Sequence, residues 1–333
     1  MSVIVAARNE AENIGRCLGS LIRQNYPAEK LEIIVIDDAS TDTTALLVSE
    51  AAKKYRNITL IRQQEHERGM APKKQAIQKG VTAAHGEIIF SIDADCYAQS
   101  EWIATMLSYF TPETGVVFGF AGFAKDVEQG LFLKIQSLEY LTWFGLAAGF
   151  AGVNRPTMCN ANNLAYRKAA FFDVNGFAGI DGIPSGDDEL LMQKIKDQTK
   201  WSVAFCSDLK AMNYTAPCKD VKSFINQRSR WASKGLLYKR SWLRALLTCV
   251  FAFYLSLIVL LAASVIHFCF FKYFLVLFAA KCVIDFFVVF WAAQKTGRTD
   301  LLKIFPFAAP FHLFYIPLVS VRGSMGKYKW KKE

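Results

Sequence analysis

The feature that most constrains this 333-residue chain is an alternation of strand-like and helix-like segments up to about residue 125. Short apolar stretches such as SVIVAA, EIIVID and EIIFSID are typical of buried strands, and the segments between them carry apolar residues at helical spacing. Strands joined by single helices predict an α/β fold, a mostly parallel sheet with helices on both faces. In such sheets, ligands bind beyond the carboxyl ends of the strands.

Acidic residues follow two of the predicted strands. Asp37 and Asp38 close the strand LEIIVIDD, and Asp93 and Asp95 close EIIFSIDAD, which follows a helix predicted to end at Gly86. Because side chains at i and i+2 of a strand point the same way, the pattern places the Asp93 and Asp95 carboxylates side by side. Like charges at that distance repel unless a cation lies between them, and carboxylates suit Mg²⁺ or Mn²⁺. The alternative for this pair alone is a solvated turn.

Two further motifs carry polar side chains. GDDELL places Asp187 and Asp188 before a predicted helix, and QRSRW places Gln227, Arg230 and Trp231 on another, with Gln227 and Arg230 on one face. Taken singly, Asp188 suits a helix cap and Trp231 a membrane-interface anchor. Together with the strand-end acids they indicate a site for a diphosphate leaving group, where Arg230 pairs with phosphate oxygens and Asp188 acts as a base. The common glycine-rich phosphate loops do not occur in the sequence.

The C-terminal quarter of the sequence differs in character. Apolar segments cover 245–266, 273–292 and 304–321, and the mean hydropathy of the chain is +0.19. The first two have about the length that spans a bilayer. We therefore predict a catalytic domain over 1–240 and a membrane region over 241–333 that ends in a basic tail. Within the second segment, Lys281 and Asp285 are spaced i, i+4, so a neutralising pair is favoured over an ion pathway.

Charge and cysteine usage support a membrane protein in a reducing compartment. The formal charge is +10, and basic clusters flank the apolar segments, as expected beside an anionic cytoplasmic leaflet and unlike a nucleic-acid-binding face. The eight cysteines show no disulfide or zinc pattern. The first residues, MSVIVAARNE, have no signal-peptide character. By the positive-inside rule, the first two apolar segments cross the membrane, and the short third one, with three prolines, lies along or re-enters the inner interface, so that the tail stays cytoplasmic.

In order and spacing, the motifs SVIVAARNE, EIIVIDDASTD, GEIIFSIDADC, NNLAYRKAAF, GDDELL and QRSRW resemble those of glycosyltransferase family 2. The membrane-embedded branch with cellulose, chitin and hyaluronan synthases is the most similar in pattern. The resemblance covers residues 2–240 and the membrane tail, and it implies a GT-A-like, Rossmann-like fold followed by membrane helices. Relatives commonly carry a membrane helix before the first strand, whereas this sequence starts on the strand itself.

The resemblance also implies roles for individual residues. In the family pattern, a pair of acids binds the uridine, a lysine lies near the nucleotide, and the D-x-D binds the nucleotide and the metal. An acid is the catalytic base, and the Q-x-x-R-W residues contact acceptor and diphosphate. In this sequence, the residues that match the nucleotide-sugar-binding positions are Glu10, Asp37, Asp38, Lys73 and Asp93, and the metal ligands are Asp93 and Asp95. The residue that matches the base is Asp188, with Asp187 as the alternative. The residues that match the acceptor and diphosphate positions are Gln227, Arg230 and Trp231.

The function predicted from the sequence is an inverting, metal-dependent transfer of a sugar from a UDP-sugar to a hydroxyl of a glycan or lipid. The enzyme would be a multi-pass protein of the cell (inner) membrane with its catalytic domain in the cytoplasm, and would need Mg²⁺ or Mn²⁺. Two alternatives stay open. A transferase to a polyprenyl phosphate usually lacks Q-x-x-R-W, and a catalytically silent membrane scaffold would be expected to have lost one of the acids.

Overall fold

The computed structural model of the protein describes residues 1–328, so that Lys329 to Glu333, in the predicted basic tail, lie outside the described residues. The chain divides into two compact units. The first unit contains Met1–Ala124 and Ala147–Ala216, and the second contains Lys125–Leu146 and the residues from Pro217 onward.

A seven-stranded sheet forms the centre of the first unit. Its strands lie in the order β3-β2-β1-β4-β8-β6-β9. Every neighbouring pair is parallel except the two pairs that contain β8, so β8 runs against the other six. The strands are β1 (Ser2–Ala7), β2 (Glu32–Asp38), β3 (Ile58–Gln63), β4 (Ile88–Ser91), β6 (Thr114–Gly119), β8 (Leu164–Arg167) and β9 (Ser202–Cys206).

The parallel register aligns the carboxyl ends of the first four strands. Ala7 is opposite Asp37, and Asp38 is opposite Gln63, so the ends of β1, β2 and β3 meet at one edge. β4 pairs with β1 on its other side. Because β8 is antiparallel, its amino end lies at this edge too. The predicted mostly parallel α/β sheet is confirmed, and the acids that end β2 and those that follow β4 lie at the edge where ligands bind in sheets of this kind.

Helices flank the sheet and follow the predicted pattern in the first third of the chain. In α1, the residues Ile14, Cys17, Leu18 and Leu21 are buried against the sheet, as their helical spacing predicts. The helices of this unit are α1 (Ile14–Ile22), α2 (Thr44–Lys54), α3 (Pro72–Ala83), α4 (Trp102–Leu107), α6 (Lys168–Asp173) and α7 (Glu189–Gln198).

The predicted role of Gly86 is wrong. α3 ends at Ala83, and the next residue, Ala84, is already extended. Gly86 instead packs on the start of β1, where a Cβ would lie 2.7 Å from the Met1 carbonyl carbon and 2.7 Å from the Ser2 nitrogen. A close backbone approach therefore explains the glycine at this position.

A second sheet of three short strands lies in the same unit, in the order β5-β10-β7. These strands are β5 (Tyr97–Ala98), β7 (Ala121–Gly122) and β10 (Asn213–Tyr214). β5 follows directly on the D-x-D segment, and Tyr97 of β5 stacks on Tyr214 of β10 at a ring distance of 5.1 Å. This sheet holds the chain just after Asp95.

The second unit is helical. It contains residues 131–146 of α5 (Leu131–Gly152) and four further helices, α8 (Val221–Ala232), α9 (Ser241–Ala263), α10 (Cys269–Thr296) and α11 (Phe305–Ser324). α9, α10 and the stretch Thr299–Ser324 are each long and apolar enough to cross a membrane. They contain the predicted segments 273–292 and 304–321 in full, whereas the first predicted segment, 245–266, extends three residues beyond the end of α9.

Two details of the membrane region bear on the sequence patterns. Lys281 and Asp285 form the expected i, i+4 ion pair within α10, with Nζ 2.8 Å from Oδ2. α11 continues through Pro310 and Pro317 without a break. Prolines are tolerated in apolar helices of this kind because neighbouring helices and local adjustments satisfy the freed backbone groups.

Candidate active site

The acids at the end of β2 form the first part of the site. Asp38 is held on one oxygen, Oδ1, which accepts a hydrogen bond from Gln63 Nε2 at 2.9 Å and lies 2.6 Å from His66 Nε2. Asp37 is 5% exposed, and its Oδ1 has no hydrogen-bond partner among residues 1–328. It lines a pocket with Arg62 of β3. A buried carboxylate oxygen without a donor is costly, so this pocket suits a ligand that brings an N–H or O–H group.

Hydrogen bonds between the loops after β1 and β2 fix the geometry beside these acids. The Asn9 side-chain oxygen accepts from the Thr41 backbone N–H at 2.8 Å, and Asp42 Oδ2 accepts from the Ala11 N–H at 3.1 Å. Glu10 is buried in the first loop, where its N–H donates to Thr44 Oγ1 at 2.8 Å and its carboxylate accepts from Asn13 Nδ2 at 2.8 Å. Glu10 is therefore part of the scaffold that joins the loop after β1 to the start of α2.

The D-x-D residues are close together, but a turn brings them together and not a strand. β4 ends at Ser91, two residues before Asp93, so the alternation of strand side chains does not apply to them. The Cys96 N–H donates to the Asp93 carbonyl oxygen at 3.0 Å and closes a turn. Ligand atoms of Asp93, Asp95 and Cys96 all lie within 4.8 Å of one another.

This donor set fits a hard divalent cation. Asp93 and Asp95 are both partly exposed and offer carboxylate oxygens, the ligands that Mg²⁺ and Mn²⁺ prefer. Burial, and then the charges of Asp95 and Asp93, raise the pKa of the Cys96 thiol well above its usual range. Cys96 is therefore a neutral thiol, and the two carboxylates are the suitable ligands.

Two residues beside the D-x-D were not predicted from the sequence. The Cys96 thiol donates to Asp95 Oδ1 at 3.3 Å, and Asn162 Nδ2 donates to the Cys96 sulfur at 3.6 Å. Asn162 precedes β8, and the antiparallel direction of β8 brings this residue to the edge where the other strands end. No local pattern in NNLAYR indicates that reversal, because strand direction depends on pairing with distant segments.

Lys73 joins the D-x-D to the second acid pair. Its Nζ lies 2.7 Å from Asp93 Oδ1 and 2.9 Å from Asp187 Oδ2. Burial alone would lower the pKa of Lys73, but the charges of Asp187 and Asp93 outweigh that effect and raise the pKa above its usual range. The ammonium group is therefore a permanent positive charge between two carboxylates that are distant in sequence.

Asp188 is the N-cap of α7. Its Oδ1 accepts from the Glu189 N–H at 2.7 Å and its Oδ2 accepts from the Ala161 N–H at 3.1 Å. The helix-cap interpretation of Asp188 is thus correct. It does not exclude a chemical role, because each carboxylate oxygen can accept a second hydrogen bond. Asp188 is half-buried, whereas Asp187 is buried.

The QRSRW residues lie on α8 in the second unit, as predicted for a helix. Trp231 packs edge-on against Tyr140 and Trp143 of α5, at ring distances of 6.3 and 6.1 Å. Gln227 Oε1 accepts hydrogen bonds from the Arg228 guanidinium and, at 3.3 Å, from the Cys218 thiol. Arg228 was treated as a spacer in the sequence motif, although it contacts both Gln227 and Trp231.

The fold and the acid-lined strand edge fit the glycosyltransferase class that the sequence motifs predict. Residues 2–172 match the family described as "Glycosyl transferase family 2". Because the match spans half of the sequence, the chain belongs to this family.

Two relatives show the range of similarity. Glycosyltransferase AglE of Haloferax volcanii is 32% identical over 103 residues, which are 31% of this chain and 33% of AglE. The dolichyl N-acetyl-alpha-D-glucosaminyl phosphate 3-beta-D-2,3-diacetamido-2,3-dideoxy-beta-D-glucuronosyltransferase of Methanococcus voltae is 23% identical over 282 residues, which are 80% of this chain and 83% of the relative. The match to AglE thus spans about a third of that protein.

A solved structure supports the fold over the whole chain. The mannosyltransferase from Pyrobaculum calidifontis, in complex with GDP-Man and Mn²⁺, matches with a TM-score of 0.60 at 19% identity. The match covers 100% of this chain and 87% of the mannosyltransferase. At this identity the likeness concerns the fold, which is the GT-A-like arrangement that the sequence predicts.

Proposed function

We propose that the protein is an inverting, metal-dependent glycosyltransferase that moves a sugar from a UDP-sugar to a hydroxyl of a lipid-linked glycan or a lipid. The observation that carries the proposal is the position of Lys73 between Asp93 and Asp187, at 2.7 and 2.9 Å. This bridge places the D-x-D and the acid pair, which are predicted to serve the leaving group and the acceptor, in one cluster.

Asp188 is the base in this proposal. The acceptor oxygen forms a bond to the anomeric carbon while the bond from that carbon to the diphosphate breaks, and Asp188 takes the acceptor proton. Two backbone N–H groups hold its carboxylate, and its side chain is accessible. Asp187 is less suitable, because it is buried and ion-paired with Lys73. Attack opposite the leaving group inverts the anomeric centre.

Charge on the leaving group needs compensation. Asp93 and Asp95 would hold Mg²⁺ or Mn²⁺, and the bound cation supplies positive charge that offsets the charge on the diphosphate. Lys73 keeps the Asp93 carboxylate in place and contributes a further positive charge. Arg230 is assigned to the diphosphate oxygens, because a guanidinium group can form two parallel hydrogen bonds with them.

The nucleotide is assigned to the pocket beside Asp37 and Asp38. The unpartnered Oδ1 of Asp37 suits a donor group from the ligand, such as a ribose hydroxyl or a ring N–H. Both uracil and guanine carry such N–H groups, and the mannosyltransferase that shares the fold binds GDP-Man. The choice of UDP therefore rests on the resemblance of the motifs and is open to direct test.

A lipid-linked acceptor is supported by two observations. Three helices are apolar enough to cross a membrane, and the relative from Methanococcus voltae is named for transfer to a dolichyl-linked sugar phosphate. In this proposal, Trp231 gives the acceptor sugar a flat apolar surface. This acceptor is a sugar hydroxyl, whereas the alternative polyprenyl-phosphate transferase would use the phosphate itself.

A donor panel tests the proposal. Membranes that contain the protein are incubated with labelled UDP-sugars and GDP-sugars, with Mn²⁺ or with a chelator, and products are separated into lipid and aqueous fractions. We expect transfer from one UDP-sugar, dependent on the cation and absent in Asp188→Asn. Transfer from a GDP-sugar alone would contradict the nucleotide assignment. No turnover of any donor would favour the silent scaffold.

The membrane arrangement is a separate part of the proposal. The catalytic residues are assigned to the cytoplasm, where nucleotide sugars are made, with the third apolar segment along the inner interface and a cytoplasmic tail. A cysteine placed after Lys332, in a variant without native cysteines, tests this topology. We expect protection from an impermeant maleimide in intact cells and labelling after permeabilisation. Labelling in intact cells would show three complete crossings.

A further inference from the structure

Arg228 is the most enclosed charge in the second unit. Its side chain is 3% exposed, and its guanidinium is bound in a two-pronged manner by Glu139 of α5. The Tyr315 hydroxyl of α11 donates to the same Glu139 carboxylate. Three helices therefore meet at one buried group of charged and polar atoms, in a unit that is otherwise largely apolar.

The guanidinium also touches two of the three predicted motif residues. It donates to Gln227 Oε1 and lies 4.3 Å from the ring centre of Trp231, a cation–π distance. On its other side it lies 4.5 Å from the ring centre of Phe224. Glu139 fixes the guanidinium, and Tyr315 in turn fixes Glu139, so both restrict the side chains of Gln227 and Trp231 through Arg228.

A second contact ties α11 to α8 at the same place. A Cβ on Gly323 would lie 2.5 Å from the Ser229 carbonyl oxygen and 2.8 Å from the Ser233 nitrogen. The backbone of α11 therefore packs directly on the backbone of α8 beside Trp231. α11 therefore contacts the motif helix directly through Gly323, and the Tyr315 hydroxyl holds Glu139 of α5, the partner of Arg228.

We infer that Arg228 is a positioning residue for the acceptor: held by Glu139, which Tyr315 holds in turn, it fixes Gln227 and Trp231 in the orientation that receives the acceptor sugar. This inference rests on the proposed function. Buried ion pairs of this kind often stabilise a protein no more than apolar residues of similar volume would. Stability alone therefore does not explain why charged residues occupy positions 139 and 228. A planar guanidinium can hold an amide oxygen, an indole face and a carboxylate at once.

Two single variants test the inference. Arg228→Lys keeps the charge and loses the planar fork, and Tyr315→Phe removes one hydroxyl. Misplacement of a substrate-positioning group by about 1 Å can lower an enzyme's rate on the order of 10²-fold. We therefore expect the acceptor KM to rise, or the kcat of transfer to fall, by roughly 10-fold or more in Arg228→Lys. The change in Tyr315→Phe should be smaller. The donor KM and the slow hydrolysis of the donor by water should be unchanged. Tyr273→Phe, on an exposed tyrosine of α10, is the matched control.

A double variant separates positioning from simple support of the fold. Arg228→Met with Glu139→Met removes both charges at similar volume, and the thermal midpoint should stay near that of the wild type. We expect acceptor transfer to remain impaired in this variant. Recovery of wild-type acceptor kinetics together with stability would overturn the inference, as would unchanged acceptor kinetics in both Arg228→Lys and Tyr315→Phe. If wild-type membranes transfer no sugar, the proposed function fails first, and that result is distinct from either outcome.

Discussion

The two units use charged residues in opposite ways. In the first, Asp37, Asp93 and Asp188 lie at the open edge of a sheet, and Asp37 keeps an oxygen without a partner. In the second, Arg228 and Glu139 are buried and satisfy each other. Arg298 likewise pairs with the buried Glu128, which also accepts from the Ser137 hydroxyl at 2.7 Å.

This difference distinguishes carboxylates that can still bind a ligand from buried ion pairs that hold neighbouring side chains in place. Incompletely satisfied carboxylates at a strand edge are costly in the free protein and gain partners when a ligand or cation binds. A closed buried pair gains nothing from a ligand, but it restricts its neighbours. Changes in the first unit should therefore affect activity more than stability, and changes in the second should affect stability as well.

The largest expected effect is on chemistry in the first unit. Asp188→Asn should reduce transfer by about 10²–10⁴-fold, the usual loss for a missing acid–base group, because the amide cannot take the acceptor proton. The hydrogen bond from the Glu189 N–H can persist on the amide oxygen, so stability and UDP affinity should change little. Steady-state transfer and calorimetric binding of UDP check both parts. If the variant keeps more than about a tenth of the wild-type rate, Asp187→Asn is the next variant to measure.

The second effect is on stability in the second unit. Burial alone would raise the pKa of Glu139, but the charge of Arg228 and the hydrogen bonds from Arg228 and Tyr315 lower it. Glu139→Gln leaves the Arg228 charge buried without its counter-charge, which should cost about 3–5 kcal/mol at neutral pH. Thermal unfolding of the detergent-solubilised protein measures the loss.

The pH dependence of this loss has a definite sign. A carboxyl whose pKa is lowered on folding stabilises the protein above its unfolded pKa, about 4.3 for glutamate, and that contribution disappears as the pH falls through the folded pKa. The stability gap between wild type and Glu139→Gln should therefore be full at pH 7 and narrow below about pH 4. A gap that stays constant or widens on acidification would contradict the assignment. Glu87→Gln, at an exposed carboxyl in the other unit, is the control.

Features that depend on residues close together in the sequence could be predicted, and features that depend on residues far apart in the sequence could not. Strands β1 to β4 and the acids beyond them were predictable, because apolar runs and the residues that follow them are local signals. The closeness of Asp93 and Asp95 was expected for a reason that is wrong, since β4 ends at Ser91 and a turn brings them together. Neighbouring acids remain close in either conformation.

Pairs that are distant in sequence could not be predicted. Arg228 and Glu139 are 89 residues apart, and Tyr315 and Glu139 are 176 apart. Each lies in an apolar or amphipathic helix where a single polar residue has many potential partners. The reversal of β8, which brings Asn162 to Cys96, also depends on strand pairing that no local pattern encodes. The acids at the strand ends are therefore easier to predict from the sequence than the residues packed around QRSRW.

The third prediction concerns cation binding in the first unit. Asp95→Ala removes one of two carboxylate ligands, so the gain in UDP affinity on adding Mn²⁺ should become smaller. Loss of a residue that only hydrogen-bonds to a metal ligand typically lowers metal affinity by roughly 10–100-fold, and we expect a larger loss here. Affinity without metal should change little. Calorimetry with and without Mn²⁺ measures both, and Asp197→Ala on α7 serves as a control. Equal Mn²⁺-dependent affinity in wild type and Asp95→Ala would mean that the D-x-D does not bind the cation.

The smallest effect concerns the backbone beside the acid pair. Ala39 follows Asp38 with a φ of 51°, in the left-handed region that disfavours any residue with a Cβ. Ala39→Gly relieves this strain but adds freedom to the unfolded chain, so stability should rise by about 1 kcal/mol or less. Ala51→Gly, inside α2, should instead lower stability by about 0.5–1 kcal/mol. Denaturant unfolding of the two variants compares the signs. A lower stability of Ala39→Gly than of the wild type would show that the positive φ of Ala39 carries no strain. The loop after β2 would then resemble the second unit, where the buried Arg228 and Glu139 satisfy each other.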